Sequence, residues 1–252
     1  MPNKINNNIH YKSKLLVDYY SKNRVTWNSL YDSEKKLIEQ LPLNDSSKVL
    51  DLGCACGGLI KALNEHYNIS DVTGVDINPD MIEYAQQNVP FGFFKCQDIL
   101  TLNEKEYRAP FVFSLSCIDF NVEAIGMFYK AWHLVSENGY LILSVRLSAH
   151  KSLLDMNEAF QYIVFNEEEF NQSMDKHKYE KAAYVVFNIS ELISLVNSLD
   201  TVGDILSYGY WGKPSFSAVL PYKKLVFAVI AVKKEKNKIE VTRDMLNLPD
   251  DL

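Results

Sequence analysis

The feature that most constrains the fold is a regular alternation of strand-like and helix-like segments between residues 47 and 145. The apolar residues form short continuous runs, which is typical of strands that are covered on both faces. Amphipathic segments separate these runs, and this alternation predicts a doubly wound, mostly parallel α/β sheet. The predicted strands are Lys48–Leu52, Asp71–Asp76, Gly92–Cys96, Phe111–Leu115 and Tyr140–Val145, and the predicted helices are Gly58–Tyr67, Pro79–Asn88 and Val122–Val135.

Segments on both sides of this core complete the predicted architecture. Two helices precede it, Tyr11–Lys22 and Ser33–Leu41, and a polar and aromatic stretch after the fifth strand is interpreted as a helical or mixed insertion over the sheet. A further helix leads to two strands, Val202–Tyr210 and Lys224–Val232, whose short link predicts antiparallel neighbours. The predicted units are an N-terminal helical cap (1–46), the α/β core (47–146), the insertion or lid (147–188), a closing helix with the strand pair (189–234) and a loose tail (235–252).

Composition limits the classes of function that are open to the chain. It has 252 residues, of which 47% are hydrophobic and 23% charged, and this is typical of a globular protein with a full core. The 26 Lys and Arg residues against 32 Asp and Glu residues leave a net charge of −6, which argues against a broad basic surface for nucleic acid. No run of apolar residues is long enough for a membrane span, and the polar start, Met1–Asn8, does not resemble a signal peptide.

The four cysteines favour a reducing compartment. Cys54, Cys56, Cys96 and Cys117 are too few and too unevenly spaced for a zinc site or a disulfide framework. They are interpreted as small buried side chains, and the predicted location is cytoplasmic.

The turn after the first strand points to a ligand. Its small residues, from Gly53 to Gly58, let a ligand approach the backbone closely, and the helix that follows offers free N–H groups. Gly53, Ala55 and Gly58 match the dinucleotide-binding pattern loosely, which is a weak signal. Asp51 argues against a dinucleotide, because a carboxylate at this position would repel a pyrophosphate. A nicotinamide-dependent oxidoreductase remains an alternative.

Acidic residues follow three successive predicted strands, at Asp51, Asp76 and Asp98. Because the carboxyl ends of parallel strands meet at one edge of the sheet, we expect all three to surround one ligand. An acid after the second strand accepts hydrogen bonds from ribose hydroxyls, at about 1.5–3 kcal/mol each. Three carboxylates suit an adenosine ligand with a cationic, phosphate-free tail, and this description fits S-adenosylmethionine.

On these motifs the sequence resembles the class I S-adenosylmethionine-dependent methyltransferases, over about residues 47–146 by motif and to about Val232 with the closing strands. The resemblance implies a seven-stranded sheet whose last strand is antiparallel, methyltransferase activity, and S-adenosylmethionine as the cofactor. It implies that the first turn surrounds the methionine end, that Asp76 holds the ribose, and that Asp98 and Ile99 contact the adenine. The implied cofactor-binding residues are Asp51, Gly53, Cys54, Ala55, Gly57, Asp76, Ile77, Asp98, Ile99, Leu115 and Ser116.

Residues after the fourth and fifth strands are the candidates for catalysis, because ligands bind beyond these strand ends. An alcohol acceptor benefits from a base, typically by a factor of about 10²–10⁴ in rate. Asp119 and His150 are the candidate bases, and Asp119 is preferred because many members of the family carry an acidic residue or His there. The alternatives are that Asp119 caps the next helix and that His150 is an exposed loop residue. No metal is predicted, because Asp119 and Asn121 alone do not make a cluster of acids.

The predicted acceptor is a small anionic molecule. Arg146 and Lys213 would place positive charge near the cleft, and Tyr210 and Trp211 offer flat faces for a sugar or a base. Tyr210, Trp211 and Lys213 belong to the run Gly-Tyr-Trp-Gly-Lys-Pro. This run loosely resembles bacterial methyltransferases of capsule and surface-glycan pathways. These features favour O-methylation of a phosphorylated or nucleotide-linked sugar. The alternatives are an N-methyltransferase of an amino sugar or another small amine, and a cofactor-binding protein without catalysis.

Neither nucleic acid nor a membrane is a predicted partner. The stretch Ser116–Asp119 lacks the Pro-Pro-aromatic run of the nucleic-acid amino-methyltransferases in this family. The sequence leaves the oligomeric state open, a homodimer included.

Overall fold

A mostly parallel sheet with helices on both faces forms the centre of the protein. The computed structural model describes residues 14–252. Its strands are β1 (Lys48–Leu52), β2 (Asp71–Asp76), β3 (Phe93–Cys96), β4 (Ala109–Ser114), β5 (Val135–Ser148), β6 (Phe160–Tyr162), β7 (Lys181–Ala183), β8 (Phe187–Asn188), β9 (Val202–Gly212), β10 (Ala218–Val219) and β11 (Leu225–Lys234). Its α-helices are α1 (Lys14–Tyr20), α2 (Asp32–Ile38), α3 (Gly58–Tyr67), α4 (Pro79–Asn88), α5 (Glu104–Tyr107), α6 (Ala124–Leu134), α7 (Glu167–Gln172) and α8 (Ile189–Asn197).

The order of the strands determines where a ligand can bind. Seven strands follow the order β3-β2-β1-β4-β5-β11-β9, and the short β8 pairs with the end of β5. The pairings from β3 to β5 are parallel, whereas β11 is antiparallel to both of its neighbours. The chain therefore leaves β1 toward β2 on one side and later returns to β4 on the other side. Such a reversal opens a crevice beyond the carboxyl ends of the strands.

Local sequence signals explain the most regular elements. The Asn78 side chain accepts hydrogen bonds from the backbone N–H groups of Asp80 and Met81, at 2.9 and 3.1 Å, and Pro79 occupies the first turn of α4. Apolar residues of α3, among them Ile60 and Leu63, are fully buried on one face of the sheet, and Phe128 and Trp132 of α6 are buried on the other. Because both faces are covered, the central strands β1 and β4 are buried at consecutive positions.

The predicted α/β fold is confirmed, and β1, β2, α3 and α4 have the predicted bounds. The fifth strand is longer than predicted, because α6 leads directly into it at Val135. The turn signal at Asn138-Gly139 lies inside β5, where Asn138 has a φ of 60° and the pairing with β4 shifts register. A Cβ on Gly139 would lie 2.4 Å from the Pro110 carbonyl oxygen, so close approach of two strands explains this glycine.

The insertion is mixed rather than mainly helical. It contains one short helix, α7, and the strands β6 and β7, which form a three-stranded antiparallel sheet with β10. Val185 continues this segment past the end of β4, and its backbone N–H donates to the Asp119 carbonyl oxygen at 2.9 Å.

The C-terminal tail is packed against the core, so the prediction of a loose tail was wrong. Val241, Leu246 and Leu248 are buried in the cluster that also contains Trp132. Arg243 donates to the carbonyl oxygens of Leu246 and Pro249 at 3.2 and 2.5 Å. The buried residues follow no helical or strand period, which is why the sequence did not reveal the packing.

Three remaining predictions concern single segments. Met1–Asn8 and the first three residues of the helix predicted at Tyr11–Lys22 lie outside the described residues. Within residues 14–252, no helix has both the length and the apolar character that a membrane span requires. Cys54 and Cys56 are buried as predicted, Cys117 is partly buried, and Cys96 is exposed because it ends the edge strand β3.

Candidate active site

A cavity lies beyond the carboxyl ends of β1 to β4, where the strand order reverses. We call it the first cavity; its walls include Asp51, Asp76, Asp98 and the segment Leu115–Cys117. Every residue predicted to bind the cofactor lines it, apart from Gly57. The structure therefore brings the three strand-end acids together around one space.

The turn after β1 is built so that backbone lines the cavity. Gly53 has a φ of 79°, and its N–H donates to the Val75 carbonyl oxygen at 2.7 Å. A Cβ on Gly53 would lie 2.3 Å from the Cys117 Sγ, so the residues after β4 close against this turn. Ala55 adopts a φ of 46°, a left-handed conformation that costs about 1–2 kcal/mol for a residue with a Cβ.

Gly57 lies behind the turn rather than in the cavity. It is the N-cap of α3 with a φ of 79°, and a Cβ there would lie 3.2 Å from both the Phe94 and the Val89 side chains. Its role is to turn the chain into the helix above an apolar cluster.

Burial sets the electrostatics of the acids in the first cavity. Asp51 is 3% exposed, and desolvation, reinforced by the Asp76 charge, raises the pKa of its carboxyl to about 7. Burial also raises the pKa of Asp76, although its two oxygens accept backbone N–H groups from Ala55 and Asn78, at 2.9 Å each. Buried carboxylates are favourable only when a cation or hydrogen-bond donors compensate them. The cavity thus fits a ligand that brings positive charge and hydroxyl groups.

The third acid, Asp98, is more accessible and partly structural. One of its carboxylate oxygens accepts the Leu100 N–H at 3.0 Å and caps the 3₁₀ helix Ile99–Thr101. Asp98 and the buried Ile99 both border the same cavity.

Residues of the N-terminal segment also line the first cavity, and the sequence did not predict them there. Tyr20, Asn23, Arg24 and Leu30 line it. Arg24 donates to the Ser116 Oγ at 2.9 Å and pairs with the buried Glu34 carboxylate at 2.6 Å. No local motif marks Arg24, because its importance comes from partners at distant positions in the chain.

A second cavity adjoins the first and shares Ser116 and Phe120 with it. Its lining contains many hydroxyl groups, contributed by three tyrosines and by serines, and four charged side chains. The tyrosines are Tyr31, Tyr184 and Tyr210, the serines are Ser33, Ser116, Ser144 and Ser215, and the charged residues are Glu34, Asp119, Arg146 and Lys213.

Asp119 and Arg146 form a buried pair in the wall of the second cavity. Arg146 Nη2 lies 3.1 Å from the Asp119 Oδ2, and the two residues are 3% and 4% exposed. Burial raises the pKa of the Asp119 carboxyl, and the Arg146 charge opposes this shift. The other carboxylate oxygen, Oδ1, has no hydrogen-bond partner among the described residues, which costs about 1–3 kcal/mol in a ligand-free protein.

Arg146 is therefore not the free cation at the cleft mouth that the sequence predicted. Because β5 extends to Ser148, Arg146 lies inside the strand, opposite Phe227 of β11, and its guanidinium faces the buried Asp119.

The remaining predicted residues fall into two groups. Tyr210 and Lys213 line the second cavity. Trp211 donates its indole N–H to Asp251 at 2.7 Å, and His150 is exposed with its ring centroid 5.1 Å from that of Tyr222. The structure brings neither of these two into the cavities. Within residues 14–252, no group of three or more His, Cys, Asp or Glu side chains could hold a metal ion.

The proteins that this chain resembles include several methyltransferases. Residues 49–139, which contain the first turn and all three acids, match the family described as "Methyltransferase domain". The chain is 25% identical over 187 residues to phosphoethanolamine N-methyltransferase of Plasmodium falciparum, covering 72% of this chain and 64% of that protein. It is 34% identical over 105 residues to malonyl-[acyl-carrier protein] O-methyltransferase of Acetivibrio thermocellus, covering 36% of each. The chain thus spans less than two thirds of the length of either relative.

The fold has solved counterparts as well. Phosphoethanolamine N-methyltransferase 2 of Haemonchus contortus, in complex with S-adenosyl-L-methionine, superposes with a TM-score of 0.53 at 13% identity, over 79% of this chain and 51% of that one. Residues 49–139 thus match a methyltransferase domain, and the fold is that of the S-adenosylmethionine-dependent methyltransferases, whose cofactor is S-adenosylmethionine.

Proposed function

We propose that the protein transfers the methyl group of S-adenosylmethionine to a small acceptor in the second cavity. The observation that carries this proposal is the meeting of the two cavities at Ser116 and Phe120. Methyl transfer is an in-line displacement, so donor and acceptor must face each other across a shared opening. The first cavity suits the cationic nucleoside, and the second suits a polar acceptor.

The residues of the first cavity fit the cofactor group by group. Asp76 would hold the ribose hydroxyls, Asp98 and Ile99 the adenine, and Asp51 with the small-residue turn the methionine end. When bound, the cofactor supplies a methyl group that its sulfonium already activates. The protein contributes alignment and a low-dielectric, preorganised surrounding.

The charges of the second cavity support an anionic acceptor. Glu34 pairs with Arg24, and Asp119 pairs with Arg146, so both carboxylates have a guanidinium partner. Lys213 lines the same cavity without an ion pair to any residue in 14–252, which leaves one positive charge for the acceptor. The two relatives named above support this idea, because phosphoethanolamine carries a phosphate and a malonyl group carries a carboxylate.

The hydroxyl-rich lining supports a sugar as the acceptor. Tyrosine and serine hydroxyls both donate and accept hydrogen bonds, so they suit a molecule with many hydroxyl groups. We therefore favour O-methylation of a phosphorylated or nucleotide-linked sugar, with Asp119 as the base. We place this reaction in bacterial surface-polysaccharide synthesis, in the cytoplasm, on the loose resemblance of the run around Trp211.

An amine acceptor is the second candidate. Two carboxylates, Glu34 and Asp119, and the rings of Phe120 and Tyr31 border the cavity, and such groups also attract a substituted ammonium ion. N-methylation needs less help from a base, since a neutral amine is nucleophilic enough to attack before it loses a proton.

Asp119→Asn distinguishes the two acceptors. Asparagine keeps the shape of the side chain but cannot take a proton, so kcat/KM for an alcohol should fall by about 10²–10⁴. For an amine the fall should stay below about tenfold. Steady-state kinetics measures both, and calorimetric affinity for S-adenosylhomocysteine, expected to change by less than about twofold, shows that the first cavity is intact. An alcohol reaction that proceeds unchanged in the variant would remove Asp119 from the mechanism.

Lys213→Met tests the anionic group. If Lys213 binds a phosphate or carboxylate of the acceptor, KM should rise by about 10–100-fold with little change in kcat, because a charge-assisted hydrogen bond is worth about 1.5–3 kcal/mol. Lys224→Met is the matched control, because Lys224 is exposed and lies outside both cavities. Equal kinetic effects of the two substitutions would contradict an anion site at Lys213.

A direct assay tests the proposed activity itself. The protein is incubated with methyl-labelled S-adenosylmethionine and a panel of sugar phosphates, nucleotide sugars and small amines. Labelled product from an anionic sugar supports the main proposal. A protein that binds S-adenosylhomocysteine but labels no acceptor would favour the alternative of cofactor binding without catalysis.

A further inference from the structure

The Arg146 guanidinium is buried and contacts carbonyl oxygens, a carboxylate and two aromatic rings. Its Nη1 donates to the carbonyl oxygens of Asp119 and Val185, at 2.8 and 3.3 Å, and its Nη2 pairs with the Asp119 Oδ2. Its central carbon lies 3.9 and 3.6 Å from the ring centroids of Phe120 and Tyr184. Arg146 thus binds both the main chain and the side chain of Asp119, and it also binds the insertion at Val185.

The two carboxylate oxygens of Asp119 differ in their contacts. Oδ2 is occupied by Arg146, whereas Oδ1 has no partner in the described part of the chain. Asp119 belongs to the lining of the second cavity, next to Phe120, which borders both cavities. The unpartnered oxygen therefore belongs to a residue that lies next to Phe120, at the boundary between the two cavities.

Burial raises the pKa of the Asp119 carboxyl and so favours its protonated form. Two guanidiniums, Arg146 and Arg24, act against that protonation. The other titratable groups that interact with Asp119 are all acids. They are Tyr20 of α1, Tyr31 and Glu34 at the start of α2, Cys117 after β4, and Tyr184 of the insertion. Arg146 is the cation in direct contact.

We propose that Arg146 is a positioning residue, which fixes the Asp119 carboxylate as an anion through Oδ2 and the main chain so that Oδ1 stays open to the acceptor. The inference rests on the proposed function. In the step concerned, the acceptor O–H proton moves to Oδ1 as the oxygen forms its bond to the methyl carbon, and the electron pair of the breaking C–S bond stays on sulfur. Asp119 then returns the proton to solvent.

The test compares pH–rate profiles of the wild type, Arg146→Gln and Arg146→Lys. Removing a neighbouring positive charge makes an acid harder to ionise, so the rising limb of kcat should move to higher pH, by at least one unit in Arg146→Gln and by less in Arg146→Lys. At high pH the rates should approach that of the wild type within about threefold. Arg108→Gln is the matched control, because Arg108 is exposed and makes no contact with either cavity. Rates lowered equally at every pH would show a merely structural role and overturn the proposal.

A second measurement does not depend on turnover. Carbon-13 NMR of protein labelled at aspartate carboxyl groups follows the titration of Asp119, which the loss of its signal in Asp119→Asn assigns. We expect the midpoint to move up in Arg146→Lys, the variant that keeps the charge and with it the fold, and further in Arg146→Gln. An unmoved midpoint would overturn the positioning role. A moved midpoint in a protein that methylates no acceptor would support the positioning role and remove the proposed function instead.

Discussion

Replacing Asp51 with asparagine should stabilise the ligand-free protein above pH 7 and, at the same time, weaken its binding of S-adenosylmethionine about 100-fold or more. Burial raises the pKa of Asp51 to about 7, so the folded protein keeps a proton that the unfolded chain releases near pH 4. Stability is therefore lost as the pH rises from about 4 to about 7, by at most about 4 kcal/mol. Asparagine carries no charge and removes this loss, but it also removes a partner of the cationic ligand.

Denaturant unfolding at pH 5 and pH 8 measures the stability, and calorimetry measures the affinity. The wild-type affinity for S-adenosylmethionine should rise with pH through about 7, whereas that of Asp51→Asn should stay flat in the same range. Asp71→Asn is the control, because Asp71 is exposed at the start of β2, at the opposite end from the cavity. An Asp51→Asn protein that is destabilised equally at both pH values would contradict this account.

Replacing Gly53 with alanine should destabilise the fold by several kcal/mol and abolish cofactor binding. The φ of 79° costs about 1–2 kcal/mol for alanine, and the new Cβ would lie 2.3 and 2.5 Å from the Cys117 Sγ and Cβ. Either the turn or the segment after β4 must shift, and both line the first cavity. Denaturant unfolding and binding of S-adenosylhomocysteine measure the two effects.

Gly126→Ala is the matched control for this substitution. Gly126 lies on α6, and a Cβ there would approach no described atom more closely than 3.7 Å. Alanine favours the helix, so this variant should gain about 0.5–1 kcal/mol. The double variant Gly53→Ala, Cys117→Gly should recover part of the loss, because both colliding atoms are removed. A Gly53→Ala protein as stable as Gly126→Ala would show that the turn is not as tightly packed as described.

The sequence predicted correctly those helices and strands whose bounds depend on residues nearby in the chain. The bounds of β1, β2, α3 and α4 follow from continuous apolar runs, a capping asparagine and a first-turn proline. The beginning of β5 was misplaced because Asn138-Gly139 is a turn signal whose actual setting, a register shift against Pro110, depends on a strand about 30 residues earlier. The tail was misjudged for a similar reason, since its apolar residues contact the core without a regular period.

The candidate site likewise contains some residues whose positions could be predicted from the sequence and others whose contacts could not. Asp51, Asp76 and Asp98 could be predicted to meet, because topology alone places consecutive parallel strand ends at one edge. The partners of Arg146 could not, because pairing with Asp119 depends on the length of β5 and on the path of the insertion. Arg24 was missed altogether, since its contacts with Ser116 and Glu34 join segments that no local pattern connects.

The position of Arg24 has a consequence for turnover. Its segment forms part of the wall of the first cavity, and Arg24 contacts Ser116 and Glu34, the second of which borders the second cavity. If the cofactor of the proposed reaction enters and leaves past this segment, its exchange requires these two contacts to break. An acceptor seated against Glu34 would delay this exchange, and release of the spent nucleoside would then wait for departure of the methylated product.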